Sequence, residues 1–197
     1  MAGTIIADFI RTDASQLSLQ VGNTTFATIN AMGLLSNTGT TIIAANGVIS
    51  GAGTIAKTAL PSGSILQVVS ANVTATQIST TSTSFVTTNF SASITPTSAT
   101  SKVYVVFMGE SLNTSGSYYG AQTLYRNSTN LGGSDGMLQN NNASAWLPFT
   151  ISCVDFPATT SSTTYAIYQK TSNATNTVYV GWGTTAIHTF VLMEIAA

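Results

Sequence analysis

Between Asp13 and Lys57, and again between Lys57 and Lys102, the chain contains no charged residue. Whatever it folds into must therefore meet water with hydroxyls and amides rather than ions. Ser and Thr supply about three in ten of its 197 residues, and Asn is frequent. Such side chains compete for backbone hydrogen bonds inside helices. The Thr, Val, Ile, Tyr and Phe around them favour strands. An all-β chain is expected.

The same scarcity narrows the partners. Charged residues make up 6% of the chain, with a formal net charge of -1, against roughly 25% charged in ordinary globular domains. No cluster of Lys and Arg is available to neutralise phosphates, so nucleic acid is not an expected partner. Apolar runs such as "VYVVFMG" fall well short of the roughly 18 residues a membrane helix needs, so no membrane partner is expected either. The single cysteine, Cys153, lies in the apolar run "LPFTISCVDF" and is expected to be buried as a small hydrophobe. The N-terminus "MAGTIIADFIR" has no basic start, and Asp8 interrupts its apolar stretch. No signal peptide is expected, and synthesis is assigned to a cytoplasm.

Two regions differ in pattern. From about residue 15 to 60, alternating pieces of four or five residues are separated by Gly-Asn, Asn-Thr-Gly and Asn-Gly turn signals. Strands this thin bury little alone. Three copies wrapped about an axis would bury more, so a homotrimer is expected; a hairpin arm lying on the main domain is the alternative. "LPSGS", residues 60 to 64, marks the boundary. The expected division is an N-terminal stalk or anchor arm over 1–60 and a β-sandwich over 61–197.

In the second region strands are expected at 65–70, 84–90, 102–108, 119–126, 146–154, 164–170, 176–181 and 188–195. Eight strands with turn signals between them suggest an antiparallel, jelly-roll-like β-sandwich. "SITPTSATSKVYVVF" is echoed at "FPATTSSTTYAIYQK", where Pro96 and Pro157 each open a Ser/Thr turn and Tyr104 and Tyr165 lie eight residues on. The two stretches read as matching corners. Past the first corner, Val103, Val105 and Phe107 alternate with Tyr104, Val106 and Met108. Both faces are apolar and only one can meet the core. Tyr104, Val106 and Met108 are taken as the candidate subunit interface, with the alternate set as the other possible outer face.

Little in the chain points to chemistry. One histidine, His188, cannot build a metal site with Cys and His ligands, and it reads as a satisfied structural residue. The six acids Asp8, Asp13, Glu110, Asp135, Asp155 and Glu194 are scattered, which disfavours the paired carboxylates of glycoside hydrolysis. No catalytic residue, metal or cofactor is expected, and the chain is not read as an enzyme. The aromatic residues Tyr118, Tyr119, Trp146 and Trp182 sit near loops, where a ring could stack on a sugar while Asn140, Asn141 and Asn142 bond its hydroxyls. They are the candidate glycan or partner contacts. The bland alternative is that these rings fill the core or a subunit interface.

Residues 62 to 197 resemble the C-terminal β-sandwich domain of virion proteins of tailed bacteriophages, particularly phages of cyanobacteria and other marine bacteria. The resemblance rests, in order, on "GSILQVVS", "SFVTTNFSASITPTSATSKVYVVF", "TLYRNSTNLG", "DFPATTSSTTYAIYQK", "NTVYVG" and "VLMEIAA". It implies a tail fibre or virion structural protein, made in the host cytoplasm and located in the virion. The short N-terminal segment resembles the stalk that precedes such domains and departs from them in length. That favours a capsid decoration (cement) protein, with the major capsid protein or another virion protein as partner. A receptor-binding tail fibre tip contacting host surface glycan is the alternative.

Overall fold

In the computed structural model, residues 16–21, 24–30, 33–36, 41–44, 60–74, 77–142, 144–183 and 186–197 are described. The chain divides into two compact units, Met1–Ala59 and Leu60–Ala197. In the first, β1 (Gln16–Val21), β2 (Thr24–Asn30), β3 (Gly33–Ser36) and β4 (Thr41–Ala44) form an antiparallel meander in chain order. The expected turn signals Gly22-Asn23 and Asn37-Thr38-Gly39 lie outside the described residues.

The second unit is built around one long strand, β8 (Lys102–Asn113). Against one edge lie β15 (Ile187–Ile195) and, further along, β14 (Val178–Val180); against the other lies β12 (Trp146–Asp155). β5 (Ile65–Thr74) and β6 (Ile78–Thr80) flank β15 and β14 and complete a six-stranded antiparallel sheet. The second sheet holds β7 (Val86–Ile94), β13 (Thr163–Thr171) and β9 (Gly120–Arg126). β10 (Thr129–Asn130) and β11 (Leu138–Asn140) pair with the far edge of β9. The chain passes repeatedly from one sheet to the other, and the two pack face to face as a β-sandwich.

Alternation decides which side chains go inside. Val103, Val105 and Phe107 are fully buried, whereas Tyr104 and Val106 are partly exposed and Met108 is 47% exposed. Phe107 sits at the centre of the core, with ring centroids 4.8 Å from Phe190, 5.5 Å from Phe149 and 6.0 Å from Phe90. Each such side chain contributes roughly 2–3 kcal/mol of burial. Removing Phe107 would open the sandwich at its middle.

Two carboxylates lie within the same interior. Asp155 and Glu194 are the cross-strand neighbours of Val103 on its two sides, and Gln67 follows Glu194 in the row. Arg126 Nη1 donates to both Asp155 oxygens at 2.9 and 3.0 Å, and the Tyr165 hydroxyl donates at 2.7 Å. Because Arg126 and Tyr165 belong to the other sheet, Asp155 ties the layers together. Burial, then the hydrogen bond to Asp155, pushes the Tyr165 phenol far above its ordinary range. Glu194 accepts from Gln67 Nε2 at 2.6 Å, and from the Thr97 N–H and hydroxyl at 2.7 and 2.8 Å. Burial alone would raise its pKa. The Ser101 hydroxyl beside it, Thr97 and Gln67 outweigh that and hold it below the ordinary carboxylate value. By geometry the Ser101 hydroxyl itself has no well-aligned partner, so Thr97 and Gln67 are the firm contacts.

Several expectations are refined. The two Pro corners do match in spacing, since β8 and β13 each begin six residues after the proline. They do not match in facing: Tyr104 points outward and Tyr165 is completely buried. β8 opens on the ionic Lys102, which must stay outside, while β13 opens on the buried Thr163. β7 runs on to Ile94 past a shift in pairing, near which Asn89 takes up a left-handed φ of 62°. β6, β10 and β11 escape sequence reading because two or three residues show no alternation. Cys153 is only partly buried, being on β12, and burial, then Asp155, raises its thiol pKa. His188 is buried, but not satisfied: neither ring nitrogen has a partner among the described residues. It lies instead between Phe90 and Phe107, at 4.8 and 6.3 Å.

Candidate functional site

Beyond Met108, β8 continues for five residues, and its outward face then carries Glu110 and Leu112. β12 places Pro148 opposite Glu110 and Trp146 opposite Leu112, with Tyr179 of β14 on the other side of Leu112. β14 is followed by Gly181, whose N–H donates to the Glu110 carbonyl at 3.0 Å and whose φ is 87°. A side chain there would be strained by the left-handed backbone, and its Cβ would lie 3.0 Å from the Phe90 ring. The chain turns sharply as a result and delivers Trp182 beside Trp146.

The two indoles meet with centroids 5.2 Å apart and planes at 55°, and Tyr179 abuts Trp146 at 6.4 Å. Trp182 remains 53% exposed. With Glu110, Pro148 and Ala186 the indoles line an open cleft of about 460 Å³. Two of the four aromatic candidates are thus brought together.

The other two occupy a separate hollow. Tyr118 and Tyr119 line a space of about 270 Å³ with Gln139 and Asn141. Their loop is fixed from beneath: Asn113 Nδ2 donates to the Tyr118 carbonyl at 2.6 Å, and the Tyr119 N–H donates to Ser172 Oγ at 3.0 Å. A third space of about 210 Å³ shares Gln139 and Asn141 with this hollow and Pro148 with the indole cleft. Three shallow sites therefore adjoin along the margin between β11 and β12. Asn141 and Asn142 are exposed there, whereas Asn140 is buried and its Oδ1 accepts from the Asn142 N–H at 2.9 Å. Asn140 thus shapes the loop through Oδ1 while also lining the third space, and its Nδ2 has no partner among the described residues.

Glu110 is the member that sequence reading did not place. It had counted only as one of six scattered acids. Alternation along β8 puts it on the face of Tyr104, Val106 and Met108, provided the strand is carried to Asn113.

That face is the second candidate surface. Across four strands run the rows Val154, Tyr104, Met193, Val68 and Ser152, Val106, Val191, Ser70, then Thr150, Met108, Thr189, Asn72. Val154 and Val68 are 50% and 55% exposed, and at one end Phe156 covers Lys102, with its ring 5.6 Å from the ammonium. Among the described residues no group of three or more His, Cys, Asp and Glu is placed to hold a metal.

No protein-family model matches the chain, and no curated protein matches it. Among solved structures, "Crystal structure of infectious bursal disease virus VP2 subviral particle" is similar at 16% identity and a TM-score of 0.35. The match covers 66% of this chain and 37% of that one. The chain thus spans little more than a third of that protein, and a likeness this low carries no argument.

Proposed function

We propose that the protein is a non-enzymatic structural component of a tailed-phage virion, exposed on the particle as a homotrimeric capsid decoration (cement) protein. The observation that carries this reading is the outward face of β8, where Tyr104 continues sideways into Val154, Met193 and Val68, and Val106 lies beside Val191. Sheet faces that meet only water alternate polar residues with the apolar ones facing the core. This one is suited to a sister subunit. Engagement of the buried carboxylates Asp155 and Glu194 in structural hydrogen bonds supports a non-enzymatic reading.

In this reading residues 1 to 60 anchor the protein to the major capsid protein or another virion protein, and binding adds to the stability of the assembled shell by mass action. Gel densitometry of purified virions tests it. Hundreds of copies per particle fit cement, and a few tens or fewer would overturn it. Deleting residues 1 to 60 should abolish particle binding while leaving a folded sandwich.

A receptor-binding fibre tip that contacts host surface glycan is the second reading, and the meeting of Trp146 with the exposed Trp182 favours it. Low copy number together with retention on host polysaccharide would select it. Release of reducing ends from that polysaccharide would overturn the non-enzymatic part of both readings.

A further inference from the structure

The indole cleft carries a chemistry of its own, whichever part of the particle the protein occupies. Its lining offers one carboxylate, two indoles and the aliphatic groups of Pro148 and Ala186. Ring faces carry negative quadrupole potential, and the Glu110 carboxylate adds charge of the same sign. Among the described residues, the lining side chains contribute no donor other than the indole N–H groups. A neutral sugar asks for donors as well as acceptors. A quaternary ammonium asks for neither, and a primary ammonium or guanidinium asks only for acceptors, which the Glu110 carboxylate supplies.

The rest of the protein shows how it treats its cations. Lys102 lies over the Phe156 ring at 5.6 Å, and Lys170 lies over Phe85 at 4.9 Å. Arg126 is held by Asp155 in the ion pair found among the described residues. Glu110, by contrast, engages Gly181 through its backbone carbonyl only, and no described cation meets its carboxylate. The cleft thus combines the ring-and-acid surroundings suited to a cation with no described cation of its own.

We propose that the Trp146 and Trp182 cleft recognises an organic cation, an alkylated ammonium or guanidinium group, lodged against the indoles and the Glu110 carboxylate. At about 460 Å³ the cleft falls in the size range of small-molecule sites. Such a group could arrive as a free or surface-borne head group, or as a Lys or Arg side chain of a partner protein.

Both tryptophans of the chain line this cleft, so emission excited at the red edge, where the seven tyrosines do not absorb, reports on it alone. The full-length protein would be titrated at constant ionic strength with tetramethylammonium, N-acetyl-lysine methylamide and N-acetyl-arginine methylamide. The neutral isostere 3,3-dimethyl-1-butanol and N-acetylglucosamine serve as comparisons. The expected result is a saturable emission change with cations at about 1–10 mM, at least about tenfold weaker with the isostere. Glu110→Gln, a surface substitution of equal shape, should weaken cation binding about tenfold. Tightest binding by tetramethylammonium would identify a head group as the source, and tightest binding by the amino-acid amides a partner side chain. An isostere that matches the cations, saturation by the sugar alone, or no response up to about 100 mM would each overturn the proposal.

Discussion

Thr97 gives both its N–H and its hydroxyl to one oxygen of Glu194, at 2.7 and 2.8 Å, and so fastens the turn leaving β7 to the last strand of the opposite sheet. Glu194→Gln puts an amide N–H₂ where one of these donors or Gln67 needs an acceptor. A loss of about 2–3 kcal/mol is expected, read as a lower midpoint in urea unfolding. The Glu194 pKa is lowered in the folded state, so its stabilisation is complete above the ordinary value of 4.5 and disappears as pH falls through the folded value. Wild type should lose thermal stability below about pH 4.5 more steeply than Glu194→Gln. Parallel profiles would remove Glu194 as the cause.

Asp155 has two donors from the other sheet, and they are unequal. Tyr165→Phe leaves the Arg126 pair intact and should cost about 1–2 kcal/mol. Arg126→Met leaves a mostly buried carboxylate without its cation and should cost more, about 3 kcal/mol. Chemical unfolding of both variants, and of the double variant, measures the coupling; simple additivity would show that the two donors act independently.

His188 tests the opposite expectation. Since both ring nitrogens lack partners among the described residues and the ring lies against Phe90 and Phe107, His188→Met removes two unpaired polar atoms at similar volume. The variant should be as stable as wild type or more so, by up to about 1 kcal/mol. A large loss would mean that water bridges those nitrogens.

Val106 sits in the middle of the outward rows. Val106→Asp should leave the fold intact, because its side chain faces away from the core, and should shift the protein towards monomer in light scattering after size exclusion. An unchanged assembly would move the subunit contact elsewhere.

The sandwich was legible in the sequence because its long strands stand out as apolar runs between turn signals, but Val103, Val105 and Phe107 against Tyr104, Val106 and Met108 gave position and not facing, since both sets are apolar. Trp146 and Trp182 were legible as a pair of loop aromatics, but not as neighbours. Their meeting depends on the turn at Gly181 and on the pairing of β12 and β14 with the same stretch of β8, which are long-range facts. Glu110 was overlooked for a related reason. Reading stopped β8 at Met108, where the apolar run ends, while pairing with β12 and β14 carries the strand onward through polar residues.

The apolar outer face of β8 has a cost for self-recognition during folding. A strand with hydrophobic side chains on both faces could slide by one residue and still offer Tyr104, Val106 and Met108 to the interior, so oiliness alone would scarcely detect the error. Asp155 and Glu194 detect it. They flank Val103 from opposite sides, and only the correct alignment brings one to Arg126 and Tyr165 and the other to Thr97 and Gln67. In a chain with so few charges, these two act as alignment keys, and each rejects a misthreaded sheet by leaving a carboxylate stranded in the dark.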